Sequence, residues 1–128
     1  METFRQDGNN MEQILDLSFA RDYDIYVNNI DFVDVTITCI YFIDINEFSF
    51  DFARYSGATM IITDDDETIV ETFSTLDGSI VLEDNGIFKI IKNYDEMDEH
   101  ISGKFNYNMN LSSNESPNID FLSGKIIF

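Results

Sequence analysis

Apolar and polar positions alternate along most of this chain in short runs, each closed by a turn. The strongest run is Val33 to Phe42, in which Val33, Val35, Ile37, Cys39 and Tyr41 share one face. Its opposite face starts polar at Asp34, Thr36 and Thr38 and turns apolar at Ile40 and Phe42. The strand is therefore expected to leave solvent there and enter a second contact, such as a sheet corner or a partner. Tyr23, Ile25 and Val27 alternate with Asp24 and Tyr26, the period of a half-buried strand, and Asn28-Asn29 supplies a turn. Ile14 to Phe19 reads as a first strand, and Asp44 to Asn46 as a turn. Phe48, Phe50 and Phe52 alternate with Ser49 and Asp51, which points three phenyl rings the same way. The inner face of a sandwich is the first reading of that triplet, because aromatic rings are core material; an exposed aromatic platform is the second.

The later part of the chain repeats the theme. Tyr55 to Ile62 leads into an acidic turn at Asp64 to Glu67, followed by Glu71 to Ser74, Asp77 to Leu82 and Asn85 to Ile91. Gly103 to Leu111 and Ser123 to Phe128 finish the series. Tyr94 to Ile101 is the helical candidate, with acidic residues near its start, where the helix dipole favours them, and Gly103 to stop it. Short strands with regular turn signals predict an all-β fold, a β-sandwich or a small barrel, with one short helix. Residues 1–13 carry little periodicity, and Asp7-Gly8-Asn9-Asn10 is turn or coil chemistry. They are expected to form a flexible N-terminal arm ahead of a single sandwich domain at residues 14–128.

Composition narrows the function. With 128 residues the chain has the size of one domain and can bury a core without staples. Cys39 is the single cysteine, so no internal disulfide is available. Met1 to Asn10 is polar and lacks the apolar segment of a secretory signal, and no apolar run is long enough to span a bilayer. Seven Lys and Arg face twenty-five Asp and Glu, a formal charge of −18. Such a field repels phosphate backbones and anionic lipid surfaces, so direct nucleic-acid and membrane binding are not expected. The charge can keep a many-copy protein soluble or match a basic partner surface.

Candidate chemistry is sparse. His100 lies in an acidic helical stretch and Cys39 inside a strand, and no motif joins them into a nucleophile–base pair. Asp64 to Glu67 gathers four acids, but a calcium loop counted from Asp64 would need Gly at its sixth place and Glu at its twelfth, where Ile69 and Thr75 stand. A solvated turn is the expected role there, and again at Asp95-Glu96 and Asp98-Glu99. Zinc has too few Cys and His ligands, and the glycines form no phosphate loop. No enzyme, no metal and no cofactor are expected.

The order of segments resembles an Ig-like β-sandwich module of tailed-bacteriophage virion proteins, in the version found at the N-terminus of the phage baseplate upper protein. The landmarks are Tyr55-Ser56-Gly57-Ala58-Thr59-Met60, Asp77-Gly78-Ser79-Ile80 and Gly86-Ile87-Phe88-Lys89-Ile90, then the acidic stretch Asp95 to Ile101. Gly103-Lys104-Phe105-Asn106-Tyr107 and Gly124-Lys125-Ile126-Ile127-Phe128 complete the pattern. It covers Phe48 to Phe128 well and the region before it poorly. The resemblance implies an all-β fold of the Ig-like kind, an antiparallel β-sandwich of about seven or eight strands with one short helix. It also implies a structural subunit of a tailed-phage virion, associated with capsid, tail or baseplate, that docks on other virion proteins in many copies. Its place would be the virion, assembled in the host cytoplasm. Partner contacts are expected at Phe4, Arg5 and Met11 in the arm and at Arg54. Two other roles stay open: an acidic inhibitor that mimics DNA, and a carbohydrate- or receptor-binding module.

Overall fold

The computed structural model describes residues 2–7, 10–18, 22–27, 32–93, 103–115 and 118–128, with side chains from Glu12 onward. Eleven strands lie among them: β1 (Glu2–Asp7), β2 (Asn10–Asp16), β3 (Ile25–Tyr26), β4 (Phe32–Ile43), β5 (Asn46–Ser49), β6 (Gly57–Thr63), β7 (Ile69–Ser74), β8 (Ile80–Leu82), β9 (Ile87–Asn93), β10 (Lys104–Ser112) and β11 (Ile119–Ile127). One sheet runs β1-β2-β4-β9-β8, with β5 paired to the end of β4; the other runs β3-β11-β10-β6-β7. The expected all-β sandwich is thus present, with more strands than anticipated. Its sheets are mixed, because β2 pairs β4 and β3 pairs β11 in parallel.

The alternation in β4 sets the first sheet. Val33, Val35, Ile37 and Cys39 are fully buried, while Asp34, Thr36 and Thr38 keep partial access to solvent. Branched side chains suit a pleated, half-buried surface, and this row forms one wall of the core. The facing wall comes from Ala58, Met60 and Ile62 of β6, Phe73 of β7 and Tyr107, Met109 and Leu111 of β10. In β11 the register slips at Met109/Asn110, which inserts one extra residue opposite β10. That bulge turns both Phe121 and Leu122 inward, as an unpaired strand residue can.

Two glycines mark close backbone approaches. At Gly86 φ is +75°, and a Cβ there would stand 2.4 Å from the Cys39 carbonyl and 3.0 Å from the Phe50 nitrogen. Along one side of β4, β9 covers the first half and β5 the second, and Gly86 sits where they meet. At Gly124, inside β11, φ is +143° and a Cβ would stand 2.3 Å from the Tyr23 carbonyl. The segment before β3 can lie on β11 because this position carries no side chain.

Residues 2–7 and 10–16, most of which were expected as a loose arm, form an antiparallel hairpin with Glu2 opposite Leu15. The boundary expected at residue 13 falls inside β2, which continues the sheet by pairing Met11–Asp16 with Val35–Ile40. Most of these residues are polar, and the buried position 13 holds a glutamine, so little hydrophobic periodicity is there to read. The helical candidate at 94–101 lies outside the described residues. A single 3-10 turn, Phe52–Arg54, is the one helical element among them.

Candidate interaction site

Strand β4 outlasts the core it helps to build. Its inward row runs from fully buried Cys39 to half-buried Tyr41 and then to Ile43, which is 57% exposed. Beyond Cys39 the strand pairs with β5 through a two-residue turn, Asp44-Ile45. Asp44 takes a left-handed φ of +57°, which a short polar side chain tolerates. Tyr41 and Phe48 face each other across this hairpin with ring centroids 5.6 Å apart, a cross-strand pair that fixes its register. The outward row ends in Phe42, 37% exposed, and Phe48 itself is 42% exposed. The overhanging hairpin therefore carries apolar side chains on both faces.

The chain leaving β5 closes the sandwich beneath this overhang. Asp51 caps the 3-10 turn by accepting from the Ala53 N–H at 3.1 Å, which directs Phe52 inward and Arg54 outward. Phe52 contacts Phe88 of the first sheet and Phe121 of the second, both edge-on. Phe50 lies against Phe52 and Phe121 and stacks on Tyr55 at 5.8 Å with an interplanar angle of 13°. This corrects the expectation for the three phenyl rings. Strand geometry stops at Ser49, so Phe50 and Phe52 join the core while Phe48 stays with the exposed hairpin.

Between the overhang and this plug lies an open groove of about 430 Å³. Tyr41, Phe42, Phe50 and Tyr55 supply its aromatic lining, and Asp51 and Arg54 its charges. Leu17 and Ser18 form the opposite rim, held there by two hydrogen bonds: the Leu17 N–H to the Ile40 carbonyl at 2.7 Å and the Phe42 N–H to Ser18 Oγ at 2.7 Å. The Ser18 N–H also donates to Asp16 Oδ1 at 2.9 Å, and this bond holds the Asp16 carboxyl below its usual range. Arg54 and Tyr55 also border a second, more polar depression of about 320 Å³ with Ser113, Asn114 and Glu115. Arg54 makes no ion pair among the described residues, whereas Lys89 pairs with Glu83 and Lys92 with Glu71 and Asp77.

Of the four residues expected to contact partners, Arg54 lines this groove. Phe4 and Arg5 lie on β1 opposite Gln13 and Glu12, and Met11 lies on β2 opposite Val35, toward the other end of β4. Their side chains fall outside the described residues. Sequence reading did not single out Tyr41, Tyr55, Ile43 or Ile45 for this site. The available signal was the outer face of β4 turning apolar at Ile40 and Phe42.

The acidic turn at Asp64 to Glu67 organises itself. Asp64 Oδ1 accepts from the backbone N–H groups of Asp66 and Thr68, each at 2.9 Å. No group of three or more acids, Cys or His able to hold a metal occurs among the described residues. His100 lies outside them, and Cys39 is buried in the strand interior.

Two mixed sheets closed over a phenyl plug define an all-β sandwich protein with an overhanging hairpin. Compared with solved structures, it is similar to the N-terminal domain of phage TP901-1 ORF48: TM-score 0.52, 10% identity, with 89% of this chain and 92% of that one covered. No protein-family model and no curated protein matches the chain. At that identity the likeness is one of fold alone.

Proposed function

We propose that this chain is a structural subunit of a tailed-phage virion, placed on the capsid or on the tail or baseplate, and that it works by docking on other virion proteins without bond chemistry. The observation that carries the reading is the fold likeness to a phage protein domain over almost the whole of both chains. The overhanging hairpin and its groove support it as well, because contiguous exposed apolar surface rimmed by polar groups marks interaction sites. The acidic balance suits a subunit that must stay soluble in many copies before assembly.

The distribution of acids weighs against a DNA mimic. Asp44, Asp64 to Glu67, Asp77, and Glu83-Asp84 are distributed among separate turns between strands. A carbohydrate- or receptor-binding role is the second reading, favoured by the aromatic groove with Asp51 and Arg54 at its side.

Quantitative mass spectrometry of purified particles tests the proposal. Peptides of this chain should co-purify with the virion in a fixed ratio to its major structural proteins. Abundant chain in the infected cell with none in purified particles would refute it. If the second reading holds instead, glycan-array binding should be lost on Tyr55→Ala.

A further inference from the structure

The overhang leaves two unlike features side by side on one strand. The first is the hairpin tip, Ile43-Asp44-Ile45-Asn46-Glu47, in which Ile45 is 93% exposed and Asp44 and Glu47 are exposed too. The second is the aromatic groove with Arg54 at its edge. The tip offers two apolar side chains flanked by carboxylates; the groove offers aromatic walls, the Asp51 carboxylate, which accepts from the Ala53 N–H, and the Arg54 guanidinium, which has no ion pair among the described residues. Neither Asp44 nor Glu47 has an ion pair among them either. The two surfaces match in polarity, and Arg54 is the cation in the groove that a tip carboxylate can meet.

On the basis of the docking function above, we infer that the occupant of the groove is a second copy of this chain: two molecules pair about a two-fold axis, each seating its Ile43–Glu47 tip in the other's Arg54 groove. Tip and groove share β4, since Tyr41 and Phe42 line the groove and Ile43 begins the tip. A contiguous, self-complementary patch of this kind closes as an isologous pair and does not propagate into fibres. The Tyr41–Phe48 stack holds the tip in shape before contact, which lowers the ordering cost of binding. A groove of about 430 Å³ lies within the range that accommodates inserted groups.

The strength follows from size and charge. Tip and groove together provide thirteen residues a side, five from Ile43–Glu47 and eight lining the groove, against about 20–30 a side in a stable interface, so the pair is weak in dilute solution and gains from the high local concentration of a particle. Each copy carries a formal charge of −18, so the two repel at long range. Added salt screens that repulsion while the apolar seat persists, so the pair strengthens as salt rises.

Sedimentation equilibrium of the full chain, loaded up to about 1 mM, reads the association directly. At about 0.5 M NaCl, where screening acts over a few ångströms, a monomer–dimer equilibrium is expected, and it should weaken at low salt. Ile45→Asp should weaken the dimer about tenfold or more. Arg54→Glu should weaken it severalfold, and Glu47→Lys added to Arg54→Glu should restore most of the loss. All three positions are exposed, and circular dichroism checks that each variant folds. A chain that stays monomeric at the highest load and salt overturns the inference, as does a dimer indifferent to Ile45→Asp or Arg54→Glu. A monomeric chain found in purified particles would remove this contact and leave the virion function standing. A dimer absent from particles would do the reverse.

Discussion

The two halves of β4 share one backbone and one alternation, yet they live in different surroundings. From Val33 to Cys39 the inward row is fully buried and β9 pairs the strand on one side. From Ile40 to Ile43 β5 takes over that side, Tyr41 is half-buried, and Phe42 and Ile43 emerge into solvent. The first half spends its apolar side chains on holding the domain together. The second half leaves them for something else. Apolar pattern alone therefore does not distinguish core from contact surface; what separates them is whether a second layer covers the strand.

This contrast can be broken most severely at the plug where the two halves meet. Phe52→Ala removes the ring that joins Phe88 to Phe121 and should cost about 4 kcal/mol, read by urea denaturation. Next in size is Lys92→Met. Lys92 lies 3.2 Å from buried Glu71, whose Oε2 already lacks a hydrogen-bond partner, so the change strands a carboxylate between the sheets. A loss of about 3 kcal/mol is expected, recovered when Glu71→Leu accompanies it. Gly86→Ala should cost more than about 2 kcal/mol, from a left-handed backbone and a Cβ driven into the Cys39 carbonyl.

The pH dependence is smaller. The hydroxyl of Ser79, and then its N–H, donate to Asp77, which holds that carboxyl below its ordinary value. A lowered folded pKa contributes stability above the unfolded value near about 3.9, and that contribution disappears as the pH falls through the lower, folded value. Ser79→Ala should therefore flatten the acid limb of a stability–pH curve below about pH 4. Least of all on stability is Ile45→Ser at the tip, expected within about 0.5 kcal/mol of the parent because the side chain touches little. The gap between Phe52→Ala and Ile45→Ser sharpens the comparison: a large effect at the tip would mean that the overhang is covered in the isolated chain.

Much of this fold can be read from sequence where one face of a strand is buried and the other is wet. The rows of β4, β6 and β10 follow that rule, and so does the Asn85-Gly86 turn, where both residues take left-handed angles. The β1–β2 hairpin escaped because its residues are mostly polar and the buried place at position 13 is filled by a glutamine, which leaves little hydrophobic period to read. Phe50 and Phe52 were placed on one face with Phe48 because strand alternation was carried past Ser49, whereas a capped 3-10 turn begins two residues later. The parallel pairing of β2 with β4 depends on chain topology and has no local signature. At the site, Arg54 was legible as a cation in an acidic chain. Its aromatic companions were not, because Tyr41 and Tyr55 look like core residues, and both do pack against the core with one side while lining the groove.

The central claim is that the end of the sandwich bearing Tyr41 to Tyr55 is the working surface in an assembled particle. Carboxylate footprinting tests it most directly, by comparing the labelling of acids in the free chain and in purified virions. Asp44, Glu47 and Asp51 should lose labelling on assembly while the turn at Asp64 to Glu67 keeps it. Unchanged labelling at the first three, or protection confined to the 64–67 turn, would contradict the account.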